Sequence, residues 1–212
     1  MGAVGEVRDD FVAVATLAGR LLRDPAVAAG WDGPSALAEF SVRGLAGHLA
    51  FQVFAVRDAL AAPVPTEQTI PLLEHYARVT WIGTGVDSEF NVGIRDGGEA
   101  LAAGGRDALA DAYDSAVREL DLDVPDRPAR MALWGPWSLD LPDLLVTRMM
   151  ELVVHSDDLA ASVGVPTPEF PAGAVETVVD LLSRIALRRH GQTAVLRGLS
   201  RVERAPASIS AL

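Results

Sequence analysis

The chain has 212 residues with 18 Lys and Arg against 29 Asp and Glu, a formal net charge of −11. So acidic a surface argues against nucleic acid as a partner, because binding phosphate requires a basic face that releases counterions. Half the residues are apolar and none is cysteine, which excludes a disordered chain, disulfides, thiolate metal sites and a catalytic thiol.

The length fits one domain with a small appendage. Met1 to Asp10 lacks the basic-then-apolar layout of a secretory leader, and no run of about 18 uncharged apolar residues suggests a membrane span. A cytoplasmic protein without a membrane partner is therefore expected. Few residues are aromatic and the apolar mass is Ala, Val and Leu, a mixture that leans towards helix.

In chain order, Gly and Pro cut the sequence into stretches of helical length. The first helix is predicted over Asp10 to Ala29, with Phe11, Val14, Leu17, Leu21 and Leu22 on one stripe. The second begins after Ser41, a good N-cap, and runs to Ala61 before Pro63 stops it. A third covers Glu67 to Trp81, with Pro71 in its first turn. Gly83 to Gly98 reads as a long connection. Periodicity resumes over Glu99 to Leu120 despite Gly104 and Gly105. From Asp121 to Asp140 the pattern fits a loop or one short strand, including the run Met131-Ala132-Leu133-Trp134. The clearest helix follows, with Asp140 as its cap and Pro142 in its first turn, and it ends at Gly164. A last helix spans Gly173 to His190, and the periodicity of the tail is undecided. Long helices joined by loops predict a mainly α fold, a helical bundle.

The strongest local feature is Glu151-Leu-Val-Val-His155 within the helix after Pro142. Positions four apart lie roughly 40° from each other and one turn up, so both side chains can reach a single point. Leu144, Thr147, Arg148, Asp158 and Ser162 share that side, whereas Leu145, Met149, Leu152 and Val153 lie opposite. The stripe is either an ordinary solvated face with an i, i+4 charge pair or a polar seam turned into the bundle.

His48 is the candidate partner. Its neighbours at helical spacing are Leu45, Phe51, Gln52, Ala55 and Val56, while the other side holds Arg43, Ala50 and Arg57, so His48 points inward. There it is either a hydrogen-bonded core histidine or a ligand. His48, Glu151 and His155 together would offer two imidazoles and a carboxylate, a set that binds zinc and leaves a fourth position open. His75 and His190 read as surface or helix-end residues. Trp134 and Trp137 either pack under a loop or wall a pocket. There is no phosphate-cradling loop and no Gly-x-Ser-x-Gly elbow.

Ser41-Val-Arg-Gly-Leu-Ala-Gly-His48-Leu, shortly after Trp31, and Arg148-Met-Met-Glu151-Leu-Val-Val-His155-Ser-Asp-Asp158-Leu form a pair of motifs. Over roughly Asp10 to Gly164, the chain resembles the mycothiol-dependent maleylpyruvate isomerase N-terminal domain, a family of the DinB-like superfamily. The resemblance implies a DinB-like four-helix bundle over residues 1–165 and a short C-terminal helical extension over 166–212. It implies a divalent metal, usually zinc, held by His48, Glu151 and His155, and a low-molecular-weight thiol, mycothiol in actinobacteria, as cofactor. The Ala-, Val-, Arg- and Asp-rich composition is in keeping with such a GC-rich source. The absence of cysteine fits a site whose reactive sulfur belongs to the cofactor.

The expected function is thus a metal- and thiol-dependent transferase or isomerase acting on a small electrophile, by a monomer or homodimer. Gln52 and Arg148, one turn from the ligands, are candidate contacts for an anionic substrate or the cofactor. The rivals are a non-catalytic metal-binding or regulatory bundle, a metal-dependent hydrolase using bound water, and a bundle with a core His and a surface Glu/His pair.

Overall fold

Helix ends follow local chemistry closely. Ser41 is extended and its Oγ accepts from the Gly44 N–H at 3.0 Å, which starts a helix over Val42–Ala61 (α3). The computed structural model describes residues 4–85, 87–131 and 133–212. The leader reading of residues 1–3 and Ala132 of the Met131–Trp134 run lie outside the described residues.

The predicted first helix is divided. Val4–Leu22 (α1) stops where Asp24 turns extended ahead of Pro25, since proline disfavours a helical residue before it. Asp24 then accepts from the Ala26 N–H at 2.8 Å and caps Pro25–Gly30 (α2). The third helix is shorter than predicted, Leu72–Arg78 (α4), for the same reason: Pro71 occupies the cap. Ile70 instead donates to the Ser138 carbonyl at 3.0 Å, which ties residues before α4 to the loop before the long seventh helix.

The stretch read as a connection contains a helix, Glu89–Leu101 (α5), capped by Ser88. Its glycines mark a crossing with α3. A Cβ on Gly98 would stand 2.2 Å from the Gly44 carbonyl oxygen, and one on Gly47 would stand 2.0 Å from that of Gly98. Only glycine lets the two backbones touch in this way. The predicted helix over Glu99 to Leu120 is likewise broken. Gly105 takes φ +90°, and a separate helix, Arg106–Glu119 (α6), follows.

Pro128–Ala129 (β1) pairs antiparallel with Leu139–Asp140 (β2). Leu141–Val163 (α7) starts directly afterwards. Asp140 holds its cap position, yet no side-chain bond forms there, and the Leu141 N–H donates to the Arg127 carbonyl at 3.0 Å. Ala172–His190 (α8) is as expected, and the undecided tail forms Gln192–Ser200 (α9) and a 3₁₀ turn at Val202–Arg204.

The fold is mainly helical. α3 packs against α5, α6 and α7, and α1 against α6, α7 and α8, with α9 on α8. The core joins Phe11 and Val14 of α1, Leu45 and Leu49 of α3, Tyr113 of α6, and Met149 and Leu152 of α7, all fully buried. Ala50, expected on the outer side of α3, is buried as well, because neighbours surround that helix. Among the described residues, no helix is long and apolar enough to cross a membrane.

Candidate metal centre

The polar stripe of α7 faces inward. Thr147, Arg148 and Glu151 are buried and His155, Asp158 and Ser162 partly buried, so the solvated-face reading does not hold. α3 and α7 pack side by side, which brings His48 to Glu151 and His155. The donor atoms of these three lie within 4.8 Å of one another. His155 Nε2 is 3.0 Å and His48 Nε2 3.9 Å from Glu151 Oε2, and the two rings meet edge to face at 4.7 Å.

Each member is held from behind. Asp158 Oδ2 lies 2.9 Å from His155 Nδ1, which turns Nε2 towards Glu151 and sets the tautomer. Gln52 is fully buried; its amide nitrogen donates to the His48 carbonyl at 2.9 Å and also lies 3.3 Å from His48 Nε2. Arg148 donates to Gln52 Oε1 at 2.6 Å and to Thr147 Oγ1 at 3.0 Å, with Nη2 3.9 Å from Glu151 Oε1. Arg148 borders the cavity described next, and Gln52 lies behind it.

Burial would push the Glu151 carboxyl up, but the hydrogen bond from His155, the nearby His48 and the charge of Arg148 hold it well below the usual range. Burial also opposes charge on His155, yet Asp158 and Glu151 outweigh it and lift its pKa to about 9. His48 is driven down, first by its own burial and then by the charges of His155 and Arg148, against the pull of Glu151. The donor set suits a divalent ion. Ligands at about 2.0–2.2 Å around one tetrahedral ion stand roughly 3.3–3.6 Å apart, close to the spacing here, and the outer carboxylate on His155 is a usual companion of such ligands.

The three residues line a cavity of about 530 Å³. Its walls are largely aromatic: Phe40, Phe51, Trp81, Phe90, Trp134 and Trp137 border it, and Leu212 closes one side. Both tryptophans of the Gly135-Pro136 segment therefore line the pocket as well as packing. Arg148 lies over the Trp134 ring at 5.9 Å.

His75 is not a surface residue. It is buried at the cavity wall, its ring 4.3 Å from that of Trp134, and Trp137 Nε1 donates to its Nδ1 at 3.1 Å. The signal for this was present in Leu72 and Val79, its apolar neighbours one turn to either side. His190 does sit at a helix end, with Nε2 2.7 Å from the Ser210 carbonyl.

Residues 12–160 match the family model described as the mycothiol maleylpyruvate isomerase N-terminal domain. No curated protein and no solved structure matches the chain.

Proposed function

The chain belongs to the mycothiol maleylpyruvate isomerase N-terminal domain family, and from that premise we propose a metal- and thiol-dependent transferase or isomerase. In this reading the thiol is mycothiol, the substrate is a small electrophile, and the long helices form a DinB-like four-helix bundle. The observation that carries it is the meeting of His48, Glu151 and His155 at the wall of a cavity large enough for a small molecule.

His48, Glu151 and His155 would hold the ion, with zinc the metal best suited to two imidazoles and a carboxylate. A divalent ion bound there supplies Lewis acidity, which lowers the pKa of a thiol or water at its open position. The protein's own groups set the conditions. Asp158 fixes the His155 ring, and Glu151 stays ionised at neutral pH. Aromatic walls limit the water around the reacting atoms, which strengthens every charge interaction inside. Arg148, pinned by Gln52 and Thr147, presents a fixed positive charge beside the site.

Protein purified without a His tag should carry about one equivalent of a divalent metal, lost in His48→Ala. Metal content below roughly a tenth of an equivalent, the same in both proteins, would remove the site from consideration. Mass spectrometry of thiol adducts, with mycothiol and a panel of electrophiles, tests the second half. Metal without adducts favours the binding or regulatory bundle, and turnover without thiol favours the hydrolase.

A further inference from the structure

His75 has one ring nitrogen whose state is dictated and one with nothing to bind. An indole N–H can only donate, so the bond from Trp137 Nε1 requires a lone pair on His75 Nδ1. The single proton of the neutral ring is therefore on Nε2. Among the described residues, Nε2 has no hydrogen-bond partner. It is also absent from the enclosed polar atoms left without one, which include the hydroxyls of Tyr76 and Ser156. His75 is 1 % exposed and lines the cavity, so what it offers a ligand is offered there, and with Nδ1 taken by Trp137 the polar group left is the Nε2–H.

The surroundings select what it would meet. The ring is packed against Trp134 at 4.3 Å, Tyr76 at 5.0 Å and Trp137 at 6.2 Å, so a ligand reaching it lies among flat apolar surfaces. Burial, reinforced by the charge of Arg148, lowers the His75 pKa to about 4, so the ring is neutral near pH 7. A carboxylate finds better seats at Arg78 and Arg148, which also border the cavity. A neutral donor between aromatic walls suits an uncharged acceptor on a flat molecule.

We propose that the Nε2–H of His75 donates to the carbonyl oxygen of an aromatic or conjugated carbonyl substrate, with Trp137 as the positioning residue that fixes the tautomer. This takes from the proposed function the cavity as substrate site and a thiol as co-substrate. When a thiolate bonds to the β-carbon of an α,β-unsaturated member of that class, the C=C electron pair shifts and the carbonyl oxygen becomes an enolate. A proton from solvent to the α-carbon then restores the ketone. The His75 N–H faces the oxygen on which that charge develops.

Two measurements without turnover test the assignment. In the free protein, long-range ¹H–¹⁵N correlation should show His75 protonated at Nε2 and bare at Nδ1; the reverse overturns it. With 4-phenylbut-3-en-2-one labelled ¹³C at its carbonyl, the bound C=O stretch should lie lower in wild type and His75→Gln than in His75→Phe. Binding should weaken about tenfold in His75→Phe. An equal stretch in wild type and His75→Phe, or no saturable binding, overturns the proposal. Trp137→Phe, which leaves His75 in place, should lose the tautomer preference and part of the carbonyl shift, and this decides the matter if His75→Phe does not fold. An unchanged tautomer and shift in Trp137→Phe would remove Trp137 from its role. An intact carbonyl shift without thiol adducts would overturn the thiol reading alone.

Discussion

His155 and His75 border the same cavity, and the Nδ1 of each is occupied by a partner from the chain itself. The partner of His155 is a carboxylate, with a second carboxylate on its other nitrogen, and the ring is drawn up to a pKa of about 9. The partner of His75 is an indole, and the charge of Glu151 only partly offsets burial and the nearby Arg148, so that ring falls to about 4. Both are largely shielded from solvent, His155 partly buried and His75 fully, so depth alone does not decide the charge of a histidine. What decides it is whether the neighbour can only accept or only donate.

Removing the carboxylates breaks the comparison most severely. Glu151→Ala deletes a proposed ligand, and metal affinity should fall by more than the roughly 100-fold that loss of an outer partner costs, read by chelator competition. Next comes the acid stability of the His75 cluster. The folded pKa of about 4 lies below the ordinary histidine value of 6.5, so the unfolded chain takes up its proton first. Stability from the neutral ring is complete above pH 6.5 and is lost as the pH falls through 4. His75→Gln has no such loss. Urea melts should show its stability gaining on wild type by up to about 3 kcal/mol between those pH values.

Asp158→Asn sharpens the contrast at the other cluster, because an amide holds the His155 ring without a charge. Metal affinity should drop by about 10- to 100-fold while the fold persists, and the same competition assay measures it. The smallest effect is expected from Arg148→Gln, which removes a charge that helps hold His75 low. Its pKa should rise by less than about one unit, followed by the histidine ring resonances in an NMR titration.

Much of the charged cluster was legible from local pattern. The i, i+4 spacing of Glu151 and His155 and the inward phase of His48 follow from helical geometry, and caps such as Ser41 mark where helices start. The neutral cluster showed only faintly, in Leu72 and Val79 around His75, because α4 is barely two turns long and Pro71 blurs its periodicity. Trp137 reaches His75 across the loop before α7, which no local pattern displays. The α5 helix was missed for a related reason: glycine is read as a breaker, and only the crossing with α3 shows that Gly98 is needed for contact. Asp158 stood on the correct stripe at i+3 from His155, but its task became visible only once His155 was seen to face Glu151 inside the bundle.

The seam between α3 and α7 also bears on when the centre can come into being. About a hundred residues separate His48 from Glu151, so joining them closes a long loop of chain. During synthesis the first ligand leaves the ribosome well before the other two, and α5 and α6 are made in between. The chain can lay α5 against α3 through their glycines while His48 still has no partner. Under the proposed function, selectivity for an ion belongs to the finished tertiary structure, and binding it would be part of the free energy of folding.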